Sequence, residues 1–259
     1  MANTSRRDFL KSAGTYSAVA GVSLSGGVSL GGPAAPRYSH PFGYPEAGLD
    51  VERTRALAYT GYKGITLADE TRHGGCAFAG FNAIIGQLAE VVGEPYSTIP
   101  TQMMDWAGAG VAGFGSLCGT LNGVAAAIGL VCDGADAKGF VSDLMTWYSQ
   151  TPLPTNILAP TGELTQSTAE SNLCHISVSR WCMESGLASG SRERAERCAR
   201  LAGDVAAKAV EMLNDGRMGL VVPGEKTSCR SCHYMGPDFE AGQFTHGDMN
   251  CLTCHIGHK

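Results

Sequence analysis

The 259-residue sequence lacks a basic excess: 19 Lys and Arg stand against 24 Asp and Glu, a formal net charge of −5. Nucleic acids and anionic lipid surfaces are held by clustered Lys and Arg, so neither is an expected partner. No Cys precedes Cys76, so no lipoprotein anchor is expected. Residues 106–132 carry no charged side chain, and the run is long enough to nominate a membrane span. That stretch nevertheless holds seven glycines with Ser116, Thr120 and Asn122, and Gly113-Phe114-Gly115 reads as a break. Two close-packed buried segments fit it better than one lipid-facing helix, and no integral membrane span is expected. The tail beyond Gly216 is short of apolar side chains, offering chiefly Leu220, Val221, Val222, Tyr234, Phe239, Phe244, Leu252 and Ile256. These are too few to make a core of their own in a segment below the ~70-residue limit of self-sufficient domains.

What that tail does contain is Cys229-Arg230-Ser231-Cys232-His233 and Cys251-Leu252-Thr253-Cys254-His255. In a Cys-x-x-Cys-His unit two thiols one helical turn apart add to the two vinyl groups of one haem, and the adjacent imidazole binds the iron. Two units imply two covalently held c-type haems, on Cys229 with Cys232 and on Cys251 with Cys254. His233 and His255 are the proximal ligands. The competing readings are a zinc site built from the same four cysteines and a pair of small disulfides. A zinc ribbon, however, has no use for a His after each second Cys. If the haems serve as the core of this tail, their faces need cover, which a stacked partner haem and a second subunit would supply.

The chain begins with Ser5-Arg6-Arg7-Asp8-Phe9-Leu10-Lys11, then a weakly apolar Gly- and Ser-rich run and Pro33-Ala34-Ala35-Pro36. This reads as a twin-arginine export signal over residues 1–36, with no clean A-x-A cleavage site, and places the mature protein in the periplasm. That route suits proteins that fold around a cofactor before export. Haem is attached outside the cytoplasm, so the leader points to a second cofactor in the body.

In the body, residues 37–71 read as mixed, starting with a Pro- and Gly-punctuated arm at Tyr38–Pro45 that could lie on a neighbouring subunit. A helix is expected from Cys76 to Val92, ended by Gly93, with Cys76 in its first turn. Further helices are expected over Lys138–Tyr148, Asn172–Glu184 and a long amphipathic stretch capped by Ser191 and stopped by Gly216. Residues 151–168 form a loop. Six cysteines lie outside the haem motifs: Cys76, Cys118, Cys132, Cys174, Cys182 and Cys198. Buried thiols, disulfides and ligands of an iron-sulfur cluster all remain open readings for them, and the spacing matches no ferredoxin pattern.

Gly75-Cys76-Ala77-Phe78-Ala79-Gly80, followed by Cys118-Gly119-Thr120-Leu121-Asn122-Gly123 and later helix-borne cysteines, resembles the redox proteins named for a GCAxxG motif and four cysteines. With the C-terminal haem motifs added, residues 37–259 are similar to the split-Soret cytochromes c. One difference is Thr120, where the family usually has Ala. The resemblance implies a mainly α fold: a helical, bundle-like domain over 37–216 followed by a small irregular dihaem c-type domain over 217–259. It also implies a homodimer with two stacked bis-histidinyl haems per chain, one axial His of each donated across the dimer. An iron-sulfur centre of the 2Fe-2S type would be held by Cys76, Cys118, Cys174 and Cys198, with Cys182 and Cys132 less suited. The distal haem ligands are sought among His258, His246 and His40. Met235 and Met249 lie too close in sequence to the haem cysteines to cross the same ring. His73 and His175 line the cluster or are satisfied in the core. Two imidazoles per iron give low-potential haems without a vacant site. The expected function is therefore periplasmic multicentre electron transfer to external redox partners rather than catalysis. The alternatives are a haem-dependent reductase of a small molecule or metal ion, and a zinc-stapled structural protein.

Overall fold

The computed structural model describes residues 39–216 and, of the tail, residues 233, 236–243, 246–247 and 249–255. The expected leader, Cys229, Cys232 and His258 lie outside the described residues. The described fold is mainly helical: α1 Val51–Lys63, α2 Cys76–Val91, α3 Gly119–Val131, α4 Gly134–Gln150, α5 Cys174–Ser185 and α6 Arg192–Asp215. Its one sheet, among the described residues, is a hairpin of β1 Ile65–Thr66 and β2 Arg72–His73.

Helix α6 is the axis. Ser191 Oγ accepts the Arg194 N–H at 3.1 Å to start it, and Gly216, at φ 61°, ends it in the left-handed conformation that favours glycine. Its buried face carries Leu201, Val205, Ala206, Ala209, Val210 and Met212, against which α1 and α2 pack. Helix α2 in turn lies on α3, and their contact is built from small residues. A Cβ on Gly123 would enter the Ala77 carbonyl, and one on Gly119 would enter that of Ala107. Across this contact Phe81, Ile84, Leu88, Leu121, Val124 and Ile128 fill the core. Helix α3 spans 13 residues, and among the described residues no helix is long and apolar enough to cross a membrane.

Residues 37–71, expected to be mixed, contain the irregular arm, α1 and β1, and α1 is the element that the sequence does not announce. Asp50 caps that helix by accepting the Arg53 N–H at 2.9 Å. Its buried face is Thr54, Arg55, Ala58 and Gly61, with little apolar periodicity to read. Arg55 instead pairs with buried Asp204 of α6, which also accepts the Thr155 N–H at 2.7 Å. The arm before α1 lies on its own chain from Phe42 onward. The Phe42 N–H reaches the Leu130 carbonyl at 2.9 Å, Tyr44 Oη donates to Asn214 at 2.7 Å, and Leu49 is buried. Helix α4 starts earlier than expected because Asp133 caps it, accepting the Ala135 N–H at 3.0 Å and the Asp136 N–H at 3.1 Å.

His73 ties the hairpin to the 3-10 turn Thr101–Ala107. Its Nδ1 meets Asp105 and its Nε2 meets Asp69 at 2.9 Å. The two carboxylates, Asp105 first, hold the imidazolium and raise its pKa above the ordinary 6.5. The stability this contributes is complete below the unfolded-state pKa and is lost as pH rises through the higher native one.

Two outcomes follow from this packing. Gly123→Ala should lower stability by about 1–3 kcal/mol in chemical denaturation. Gly129→Ala, whose Cβ would meet nothing within 4 Å, should be neutral or stabilising by up to about 1 kcal/mol. In an NMR titration the His73 ring should show a midpoint above 6.5 that falls in Asp105→Asn. A wild-type midpoint at or below 6.5 would contradict the ion-pair account.

Candidate functional site

Three of the six body cysteines stand at helix starts. Cys76 is the first residue of α2, Cys118 the N-cap of α3 and Cys174 the first residue of α5. An antiparallel bridge between Leu117 and Leu173 sets two of these starts side by side. Within it the Cys118 N–H donates to the Asn172 carbonyl at 2.9 Å and the Cys174 N–H to that of Ser116 at 2.7 Å. Gly119 lets Cys76 close on them, since a Cβ there would lie 2.7 Å from Cys76 Cβ. Cys198, on the buried face of α6, completes the set. The four thiols line one small cavity with Tyr148 and Arg197. They are the four that the GCAxxG resemblance selects.

The segment between the Thr101–Ala107 turn and α3 packs against two of these cysteines, Cys76 and Cys174. Ala109, Gly110, Val111, Ala112 and Gly113 all take positive φ, from 46° to 85°, one left-handed turn in which Val111 is the most unfavourable member. The turn brings the Ala109 N–H to Cys76 and packs Gly110 so closely that a Cβ there would lie 2.8 Å from Cys174 Cβ.

Two electrostatic effects oppose each other here. Burial, then the proximity of Cys198 and Cys118, pushes the Cys76 thiol far above its usual range. Burial, then Cys118 and Cys198, pushes Cys174 up to about 12. Free of metal, these two thiols are therefore protonated at neutral pH. Against this, three helix N-termini, Arg197 and the nearby Arg194 all favour negative charge on sulfur. A site of this kind gives up its protons to a metal that takes the thiolates.

The remaining predicted residues fall elsewhere. Cys132 caps the opposite end of α3, about 20 Å from Cys118 at about 1.5 Å per residue. Cys182 lies two turns along α5 and does not line the cavity. The eight described cysteines are all free thiols, so the disulfide reading of the body finds no pair among them. His73 is engaged by its two carboxylates, whereas His175 is exposed at the rim, with its Cβ 3.0 Å from where a Cβ on Gly115 would sit. His40 is exposed and its Nε2 meets the Gly129 carbonyl.

In the tail, Asn250 caps a 3-10 turn over Cys251–Thr253, and the His255 N–H returns to the Cys251 carbonyl at 2.9 Å. This single turn presents Cys251, Cys254 and His255 together, with Cys254 and His255 exposed. His233 Nδ1 lies 3.1 Å from the Gly242 carbonyl, and Nδ1–H donation fixes the tautomer whose lone pair is on Nε2. His246 is exposed. Thr253 Oγ1 donates to the Glu170 carbonyl at 3.2 Å, joining the turn to the body beside a groove formed by Ile176, Ser179, Arg180 and Met183 of α5.

Sequence reasoning missed Arg197, Ser177 and Tyr148. Arg197 and Tyr148 are each about 1% exposed at the thiol cavity. Tyr148 Oη donates to Ser177 Oγ at 2.9 Å, and Arg197 Nη2 donates to the same oxygen at 2.8 Å. The available signal was a charged residue, Arg197, directly before Cys198 on the stripe side of α6.

Comparison with known proteins gives three concordant results. The model of the family described as "Putative redox-active protein (C_GCAxxG_C_C)" matches residues 78–212, which include Cys118, Cys174 and Cys198 and begin two residues past Cys76. The split-Soret cytochrome c of Desulfovibrio desulfuricans is 33% identical, across 98% of this chain and 95% of its own length. A solved structure of a split-Soret cytochrome c from Desulfovibrio desulfuricans, described with a novel iron centre, superposes with a TM-score of 0.70 at 32% identity. That match covers 82% of this chain and 89% of the other. The chain belongs to the split-Soret cytochrome c family of GCAxxG-type redox-active proteins.

Proposed function

We propose that this protein is a periplasmic electron carrier with two bis-histidinyl c-type haems per chain and a 2Fe-2S cluster, working as a homodimer with external redox partners. The observation that carries the reading is the meeting of four cysteines from four helices at one buried cavity, in a chain whose tail ends in two Cys-x-x-Cys-His units. The donor set fits the group. Four cysteine thiols line the same small cavity. Thiols spread around a cavity suit a cluster with more than one iron, and thiolates are the ligands that iron-sulfur clusters take.

The residues divide the work. Cys76, Cys118, Cys174 and Cys198 would hold the cluster, which supplies a one-electron couple. The left-handed turn 109–113 would support it by giving the Ala109 N–H to Cys76. In the tail, Cys251 and Cys254 would attach one haem and His255 would bind its iron, which the shared turn at Cys251–Thr253 supports. His233 serves the haem on Cys229 and Cys232, with Nδ1 held by Gly242. Distal imidazoles would come from His258, His246 or His40, and two imidazoles on each iron would leave no site for substrate. The low apolar content of the tail supports dimerisation, since haem faces need cover. The twin-arginine pattern at Arg6-Arg7 supports export of a body folded around its cluster.

Anaerobically purified protein should show two haems per chain by pyridine haemochrome, iron beyond two per chain and acid-labile sulfide. Cys118→Ser should remove the sulfide and leave the haem count at two. Haem absence would end the cytochrome reading, and absent sulfide in the wild type would end the cluster reading. Low-spin spectra without carbon monoxide binding are expected, and a carbon monoxide complex would favour a reductase.

A further inference from the structure

Helix α6 buries three ionised side chains, Arg197, Arg200 and Asp204, each no more than 3% exposed. Two of them are compensated. Asp204 pairs with Arg55, and Arg200 pairs with Glu196 at 3.0 Å while also donating to Asn156 at 2.9 Å, the Gly162 carbonyl at 2.7 Å and Thr161 at 3.0 Å. Together these pairs pin the loop after α4 to α6, which is a structural task. Arg197 is different. Among the described residues it has no carboxylate in ion-pair range, its Nη2 has only the neutral Ser177 hydroxyl, and its Nε has no partner. Its Nη1 is 3.9 Å from Cys198 Sγ.

A buried guanidinium without a counter-charge is strongly unfavourable, and arginine cannot relieve it by losing its proton. The opposite charge must therefore come from whatever occupies the cavity that Arg197 lines. Four neutral thiols do not supply it, whereas thiolates around a cluster do. Ser177 Oγ, which also accepts from Tyr148, fixes the direction of the guanidinium toward sulfur rather than toward the loop. Each electron added to the cluster increases the negative charge facing this cation, so its attraction is greater for the reduced state than for the oxidised one.

We propose that Arg197 is the positioning residue that sets the potential of the thiolate-bound cluster, a buried counter-cation held by Ser177 that favours the reduced form. The inference rests on the cluster reading given above. A wild-type protein without acid-labile sulfide would remove that reading before any variant is compared.

The experiment is an EPR-monitored redox titration of the cluster in full-length, haem-loaded wild type, Arg197→Gln and Arg197→Lys. The haem absorption bands in the same samples serve as the internal control. In Arg197→Gln the reduced-to-oxidised ratio at a fixed solution potential should fall at least tenfold, which for one electron is a 59 mV lower potential. Arg197→Lys should restore most of the shift, and the haem titration should not move. If Arg197→Gln loads less cluster than wild type while Arg197→Lys loads fully, the requirement for positive charge is equally supported. The proposal is overturned if both variants load and titrate as wild type. It is also overturned if the two are impaired alike, since shape rather than charge would then be what the site needs.

Discussion

Helices α2 and α3 lie so close that a methyl group at Gly123 would enter the backbone of Ala77 and one at Gly119 would meet the Cys76 side chain. The thiol site depends on that approach. It brings the start of α2, with Cys76, against the start of α3, with Cys118, and the Leu117–Leu173 bridge then adds the start of α5 with Cys174. Cysteines at three helix N-termini converge on the buried face of α6, where Cys198 waits. The small residues here are the condition for bringing thiols from distant parts of the sequence to one cavity. The cost is a left-handed turn beside the site, with Val111 in a conformation that β-branched residues rarely take.

Most of the helices were legible because each carries its own punctuation. Ser191 and Gly216 mark α6, and Gly93 follows α2. Helix α1 was not legible, since its buried face is Thr54, Arg55, Ala58 and Gly61 and its main long-range partner is a charge on another helix. Apolar periodicity carries no information about such a face. The same limit hid Arg197. A buried cation reads like a surface residue until the structure shows that no carboxylate answers it. The thiol site itself was half legible. Cysteine spacing alone left buried thiols, disulfides and a cluster open, and only family resemblance picked four of the six. The fold then separates those four physically, placing Cys132 at the wrong end of α3 and Cys182 two turns along α5.

The tail follows a different logic from the body. Its chemistry is local, written in five-residue units, and one turn with an Asn250 cap is enough to present Cys251, Cys254 and His255. Among the described residues of the tail, Phe239, Met249 and Leu252 are exposed. In the proposed reading covalent haem provides the redox centre and the apolar mass. Helix α5 connects the two parts, with Cys174 at its start in the thiol cavity and Ile176, Ser179 and Arg180 facing the groove beside Thr253.

The account stands on iron bound by the four body thiols as a cluster. Iron X-ray absorption on the anaerobically purified protein, compared with Cys118→Ser, tests this most directly. The account predicts a sulfur shell and an iron–iron scattering path in the wild type that vanish together in the variant, leaving the nitrogen ligation of the haems. A wild-type spectrum fully described by haem iron with nitrogen ligands would contradict it.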